Sequence, residues 1–311
     1  MTLTIRDLNL QVELPELPRS IPVAQLAAPT LEERRTSIDV IAGALGLDDL
    51  SPGETGHSLA FVGERGEIEY FPASGAVWAR DAAAEAAHGD ELRRWVGLEK
   101  SRTEDGTIYT LNRDTSRGLM EQANALVEAA GLVEREAMRP SIVLDQVEEL
   151  DEEGQTIQSG AGTATVMTRY SVEGLPVMGA GAKTYIYMEP TRGDVHTTGV
   201  FHCWRRIADA HELHLRGVEH ALEVGVLIDP ELTMYHQKGA RIEVTELTFG
   251  YLALPAMVPQ STLLPSFSVA GRVHLQDDKM EYFEFARYHH AVSVDEYGGL
   301  GLHSPQLGMA N

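Results

Sequence analysis

The chain has 311 residues, of which 43% are hydrophobic and 23% charged, enough apolar side chains to bury a core and too many for a fibrous or disordered polymer. Its 25 basic residues face 47 acidic ones, a formal charge of −22, so a nucleic-acid backbone or an anionic membrane surface is repelled over most of the protein. A single cysteine, Cys203, forbids an internal disulfide, and no apolar run approaches the roughly 20 residues of a spanning helix.

The first residues lack a basic segment followed by an apolar stretch, so a cytoplasmic location is expected. Residues 1 to 29 are rich in Leu, Pro and Val without a sustained period. Because Pro is denied to helix interiors and central strands, they predict an extended arm lying on the body. Thr30 followed by Glu33 is a capping-box pattern, and Ile38, Ile41, Ala42 and Leu45 recur at helical spacing, which predicts a first helix ending at Gly46. His57 to Val62 and Glu67 to Phe71 flank Gly63-Glu64-Arg65-Gly66 as a hairpin, and Ala76 to Ala79 is a third short strand. The alanine-rich segment Asp81 to Val96, stopped by Gly97, predicts another helix. These elements form an N-terminal region over residues 1–110.

The remaining chain has the marks of an internal repeat. Arg117-Gly118 and Arg216-Gly217 lie 99 residues apart, each inside a predicted helix, the first running to Ala130 and the second to about Gly225. Candidate strands Ile142–Leu150 and Ile242–Tyr251 follow at an offset of 100, and the segments Tyr170–Gly174 and Phe267–Gly271 at an offset of 97. Lys183 to Glu189 and Gly199 to Ile207, around the turn-like Pro190–Asp194, close the first copy; Met280 to Ala291 closes the second. Laying each helix across an antiparallel sheet predicts an α+β fold of two tandem helix-plus-sheet units, residues 111–210 and 211–311, the second ending in a tail.

No dense cluster of ligands is expected to hold metal. His211-Glu-Leu-His214 has a spacing of three where a zinc-protease helix has four, and His220 lies nine positions from His211, about half a turn around a helix. Asp209 and Glu212 instead suit a capped helix start. The carboxylates between Asp145 and Glu153 lack the alternating ligands and central Gly of a calcium loop and predict a solvated hairpin tip. Gly179-Ala-Gly181 has no helix after it to present an anion site, and no phosphate-binding motif is present, so no cofactor is expected.

The stretch Tyr170-Ser-Val-Glu-Gly-Leu-Pro-Val-Met-Gly-Ala-Gly-Ala-Lys183, followed by Tyr185-Ile-Tyr187 and Val200-Phe-His-Cys-Trp204, resembles the PepSY-like domains of bacterial propeptides and regulators. The second copy is similar to the companion module, with an aromatic strand near Tyr251 and a Leu-Pro step at Leu264-Pro265-Ser-Phe-Ser268. The resemblance covers the chain from residue 111 on. It implies a cystatin-like α+β fold and an inhibitory, chaperoning or regulatory binding role.

Strand alternation then selects candidate side chains. It groups His202, Trp204 and Arg206; Lys183, Tyr185, Tyr187 and Glu189; and Tyr282, Glu284, Tyr288 and His290. Faces that mix aromatic with ionisable groups suit either an interface between units or a polar groove. The expected function is non-catalytic: Trp204, Tyr185, Tyr187, Tyr282, Tyr288 and Arg206 engage a partner protein or segment through a sheet face or edge, and self-association into a homo-oligomer fits the same surfaces. The competing class is an enzyme of cyclase or isomerase type acting on a small organic ligand between the units. There His202 or His290 carries the proton and Glu284 tunes it.

Overall fold

The structure is a computed structural model that describes residues 4, 7–12, 16–54, 56–84, 94–103, 106–190, 194–275 and 282–292. The first helix is where the sequence places it. Thr30 accepts a hydrogen bond from the Glu33 amide while the Glu33 carboxylate accepts one from Thr30, and left-handed Gly46 closes the far end of α1 (Leu31–Leu45). The buried stripe of α1 carries Arg34, Ser37, Ile38, Ile41 and Leu45.

After α1 the chain runs as an antiparallel meander, β3 (Ser51–Glu54), β4 (Leu59–Val62), β5 (Gly66–Phe71) and β6 (Ala76–Asp81), which includes the predicted hairpin and third strand. Most of the predicted helix Asp81–Val96 lies outside the described residues, as do parts of the Pro190–Asp194 turn and of the Met280–Ala291 strand. A small hairpin, β7 (Leu98–Thr103) and β8 (Gly106–Leu111), leads to α2 (Arg113–Ala129), capped by the Asn112 side chain. Then come β9 (Ser141–Leu150), β10 (Thr156–Arg169), β13 (Lys183–Pro190) and β14 (Val195–Cys203). Asp151 and Gly154 make the β9–β10 turn, so of the acidic segment Asp151–Glu153 form the expected hairpin tip, while Asp145, Glu148 and Glu149 lie in strand β9.

These strands build one eight-stranded sheet in the order β3-β4-β5-β6-β14-β13-β10-β9. Both helices pack on the same face of it. Ile38, Ile41 and Leu45 of α1 and Leu119 and Ala123 of α2 share a core with Ile68, Val77, Ala79, Val166, Ile186, Met188 and Val200.

A second eight-stranded sheet takes its strands from residues 8–27 and 171–290: β1 (Leu8–Leu10), β2 (Ser20–Ala27), β11 (Ser171–Val172), β12 (Leu175–Gly179), β15 (Arg206–His214), β16 (Arg241–Ala253), β17 (Thr262–His274) and β18 (Tyr282–His290). The short helix α3 (Val218–Leu222), a π-helical turn (Glu223–Leu227) and α4 (Pro230–Gln237) connect β15 to β16 and fill a core with Leu222, Val226, Leu232, Ile242 and Val269. The chain passes between the sheets at Tyr170, at Ala182 and at Trp204–Arg205.

This architecture corrects the α+β expectation: the protein is mostly β, built on two large curled sheets with few helices, and not two helix-plus-sheet units. Local matching recovered α2, β9, β10, β16 and β17 but had no access to long-range pairing. The excursion β11–β12 pairs with β16 in the other sheet, and the N-terminal arm enters that sheet as β2, between β17 and β15. Pro22 is tolerated there because β17 pairs with β2 only at Ala24 and Gln25, leaving the other edge free at Pro22. The predicted helix start at Asp209–Glu212 is a second correction. It lies in β15, whose residues pair from Arg206↔Ala27 to His214↔Ser20, and the helix begins only at Val218. A polar nine-residue segment has no strong period of its own, so the partner strand decided its conformation.

Candidate functional site

The crossings between sheets place the sequence's strongest aromatic candidate inside the protein. Trp204 is 2% exposed and stacks on Tyr170, with ring centroids 4.5 Å apart and planes inclined by 9°. Beside this pair a chain of polar side chains runs through the covered face of the first sheet. Arg34 of α1 donates to the Gly75 carbonyl at 3.1 Å and, through Nη2, to His202 Nε2 at 3.1 Å. A guanidinium has only donors, so Nε2 accepts, and the imidazole proton sits on Nδ1, 2.9 Å from Thr184 Oγ1. The Thr184 hydroxyl in turn shares a hydrogen bond of 2.8 Å with Tyr170 Oη. Burial, reinforced by Arg34, holds His202 neutral by pulling its pKa well below the ordinary value. Glu134 reaches to 3.9 Å from His202, and its own pKa is raised by burial.

Arg206 is not beside Trp204 on one strand face. The first sheet ends at Cys203, Arg206 opens β15 in the second sheet, and its guanidinium pairs with Glu33 at the start of α1. The buried guanidinium of Arg205, between them, donates to the carbonyls of Leu254, Pro255 and Val258. It thereby pins the loop after β16 against the sheet, where Ala256 packs on Ala76, Cys203, Phe71 and Phe201.

The opposite face of the first sheet carries Tyr185 and Tyr187, and among the described residues no helix covers it. Cross-strand register aligns Met167, Tyr185, Phe201, Trp78 and Glu69 in one row from β10 to β5. Thr165, Tyr187, Gly199, Arg80 and Glu67 form the next. All four aromatic rings are partly exposed. Tyr185 meets Tyr187 edge-on at 6.0 Å and Phe201 at 6.2 Å. Lys183 Nζ lies 5.1 Å over the Tyr185 ring and Arg80 5.2 Å over that of Trp78. Gly199 makes room for this packing, since a Cβ there would come within 3.0 Å of the Tyr187 ring and 3.1 Å of the Ala79 carbonyl. The result is an aromatic belt across three strands, roughly 10 Å long at the usual strand spacing, with the pinned loop at one border.

Tyr282, Glu284, Tyr288 and His290 lie on the outer face of β18, in the other sheet. Tyr282 holds Arg272 over its ring at 4.7 Å, and Glu284 pairs with Arg272, so these side chains satisfy one another. The three residues of the enzyme alternative do not converge. His202 is fully buried in the first sheet, while Glu284 and His290 are six residues apart on one strand, about 20 Å in extended chain. His290 bonds Ser266 through Nδ1 at 3.2 Å, and burial lowers its pKa to about 4. Among the described residues no group of three His, Cys, Asp or Glu side chains could hold a metal ion. The Gly179–Gly181 motif is structural: a Cβ on either glycine would collide with the carbonyl of Ala253 or Leu254 across the parallel β12–β16 pair.

Sequence reasoning passed over Trp78, Arg80, Phe201 and Arg34. Arg34 was accessible, because it precedes Ile38 by four residues on the stripe shared with Ile41 and Leu45. Trp78 sits in a predicted strand too short for its face to be assigned. Among the described residues no helix is long and apolar enough to cross a membrane. Fold and face together define a mostly β protein built on two large sheets, one of which carries an aromatic surface that no described helix covers. No protein-family model matches the chain, and no curated protein does. Among solved structures it is similar to an uncharacterised protein from Eubacterium rectale, with a TM-score of 0.52 and 11% identity over 94% of this chain and 90% of the other. At that identity the likeness shows the fold alone.

Proposed function

We propose that this protein is a non-catalytic binding module that engages a partner polypeptide through the uncovered face of its first sheet. The observation that carries the reading is the belt of Trp78, Phe201, Tyr185 and Tyr187, four neighbouring aromatic side chains left partly exposed on strands whose other face is fully packed. Large aromatics on a rigid strand scaffold lose little entropy when covered, and they dominate binding energy where they occur. The PepSY-like sequence resemblance supports a regulatory or chaperoning version of this role. Of the residues selected from sequence, Tyr185 and Tyr187 remain in the proposed surface; Trp204 serves the core between the sheets.

The test is site-specific photocrosslinking from position 185, with exposed Met234 as the control position. A partner crosslinked only from position 185, purified, should bind the wild-type protein and lose at least tenfold in affinity to Tyr185→Ala, which melts like wild type. Crosslinks no different from those of the Met234 control overturn the reading.

A further inference from the structure

The charges around the belt say what kind of segment it takes. Of the carboxylates on this face, Glu67 is held by Arg80 at 2.9 Å, Glu69 by the Ser58 hydroxyl at 2.9 Å and buried Glu189 by Thr163 at 3.0 Å, while Asp145 of β9 acts on Tyr187, at the end of the belt away from Lys183. The cations at its other end are not so held. Arg169 and Lys183 are directly opposed in the β10–β13 ladder, one step beyond the Met167–Tyr185 pair, so both side chains stand on the belt's face. Among the described residues neither has a carboxylate partner; Lys183 is held only over the Tyr185 ring, and Arg169 is exposed.

Two like charges placed side by side repel, and no carboxylate among the described residues compensates them. In a protein of net charge −22 with only four lysines, this is a local reversal of sign at the edge of an apolar surface. We infer that the belt's partner is an acidic segment, one that lays apolar or aromatic side chains across Tyr185, Phe201 and Trp78 and sets a carboxylate between Lys183 and Arg169. This rests on the proposed binding face and adds the chemistry of its occupant. A second copy of the belt would bring these two cations against their own equivalents only when aligned in parallel. Two copies oppose −22 to −22 at long range, a far larger repulsion than a short segment with a few carboxylates meets. The carboxylate satisfies both cations at once, as a guanidinium and an ammonium on adjacent strands can share its two oxygens.

The experiment pans a random dodecamer peptide library on phage against the immobilised full chain, with the Trp78→Ala/Tyr185→Ala double variant as counter-target. Clones that need the belt are expected to carry Asp or Glu beside apolar residues in excess over the unselected library. The leading clone, made as a synthetic peptide, should lose at least tenfold in affinity to Lys183→Gln/Arg169→Gln and weaken with added salt. Belt-dependent clones without an acidic excess, or equal affinity for Lys183→Gln/Arg169→Gln, overturn the acidic partner while leaving the binding face standing. No enriched clone, or clones indifferent to the counter-target, overturn the face itself. Should the alanine double variant fail to melt cooperatively, Tyr185→Gln takes its place as counter-target.

Discussion

Strand β14 carries His202 on one face and Phe201 on the other, and β13 does the same with Thr184 and Tyr185, so the junction between the sheets and the aromatic belt are two sides of the same strands. Both sides mix rings with ionisable groups. On the covered side Arg34 arrives from α1, and the Arg34–His202–Thr184–Tyr170 chain is hydrogen-bonded side chain to side chain within the buried core. On the open side Lys183 and Arg80 lie over Tyr185 and Trp78 at the edge of solvent. The composition of a strand face therefore does not reveal its role; what packs over it does.

The comparison breaks first at its two tryptophans. Trp204→Ala removes a ring stacked in the core and should lower stability by about 3–5 kcal/mol, read from denaturant midpoints at unchanged slope. Trp78→Ala should cost far less, and equal losses would mean that the belt is core after all.

Acid should act on the covered side and on β18, and leave the belt alone. His202 and His290 are held below the ordinary value of 6.5, so the unfolded chain binds protons that the folded chain refuses. Their stabilising contribution is complete above pH 6.5 and declines as the pH falls, for His290 down to its folded value of about 4. By that point His290 alone accounts for a loss on the order of 3 kcal/mol. Urea denaturation at pH 7.5, 6 and 5 should show the decline, and His290→Gln should make it shallower; a stability flat across this range would refute the neutral, buried assignment.

The smallest effect sharpens the open side. Tyr185→Ala should move folding stability by no more than about 0.5–1 kcal/mol in thermal melts, because its ring is partly solvated in the folded protein. A loss as large as that of Trp204→Ala would place Tyr185 in a packed interface and remove it from the binding surface.

Legibility followed the range of the interactions. The capping box at Thr30, the hairpin around Gly63–Gly66 and the core position of Cys203 were readable because neighbouring residues decide them. The common face of Tyr185 and Tyr187 was also readable, from the alternation of one strand. Trp204 and Arg206 were grouped with His202 by continuing that alternation past Cys203, where β14 ends and the chain turns into the other sheet. Nothing within those few residues marks the break, since Arg205 is fixed by carbonyls some fifty positions away.

By itself the sequence determined an acidic chain with one unpaired cysteine, its helix caps, its tight turns and the inward face of most strands, all set by periodicity and backbone preference over a few residues. The tertiary structure decided that strands distant in the chain would share two large sheets, that Pro22 could sit where only one edge is paired, and that one face of the first sheet would be sealed by α1 while no described helix covers its reverse. The reason is that a strand satisfies its backbone and its side chains only through neighbours distant in sequence, so its pairing and its covering exist only once the whole chain has folded.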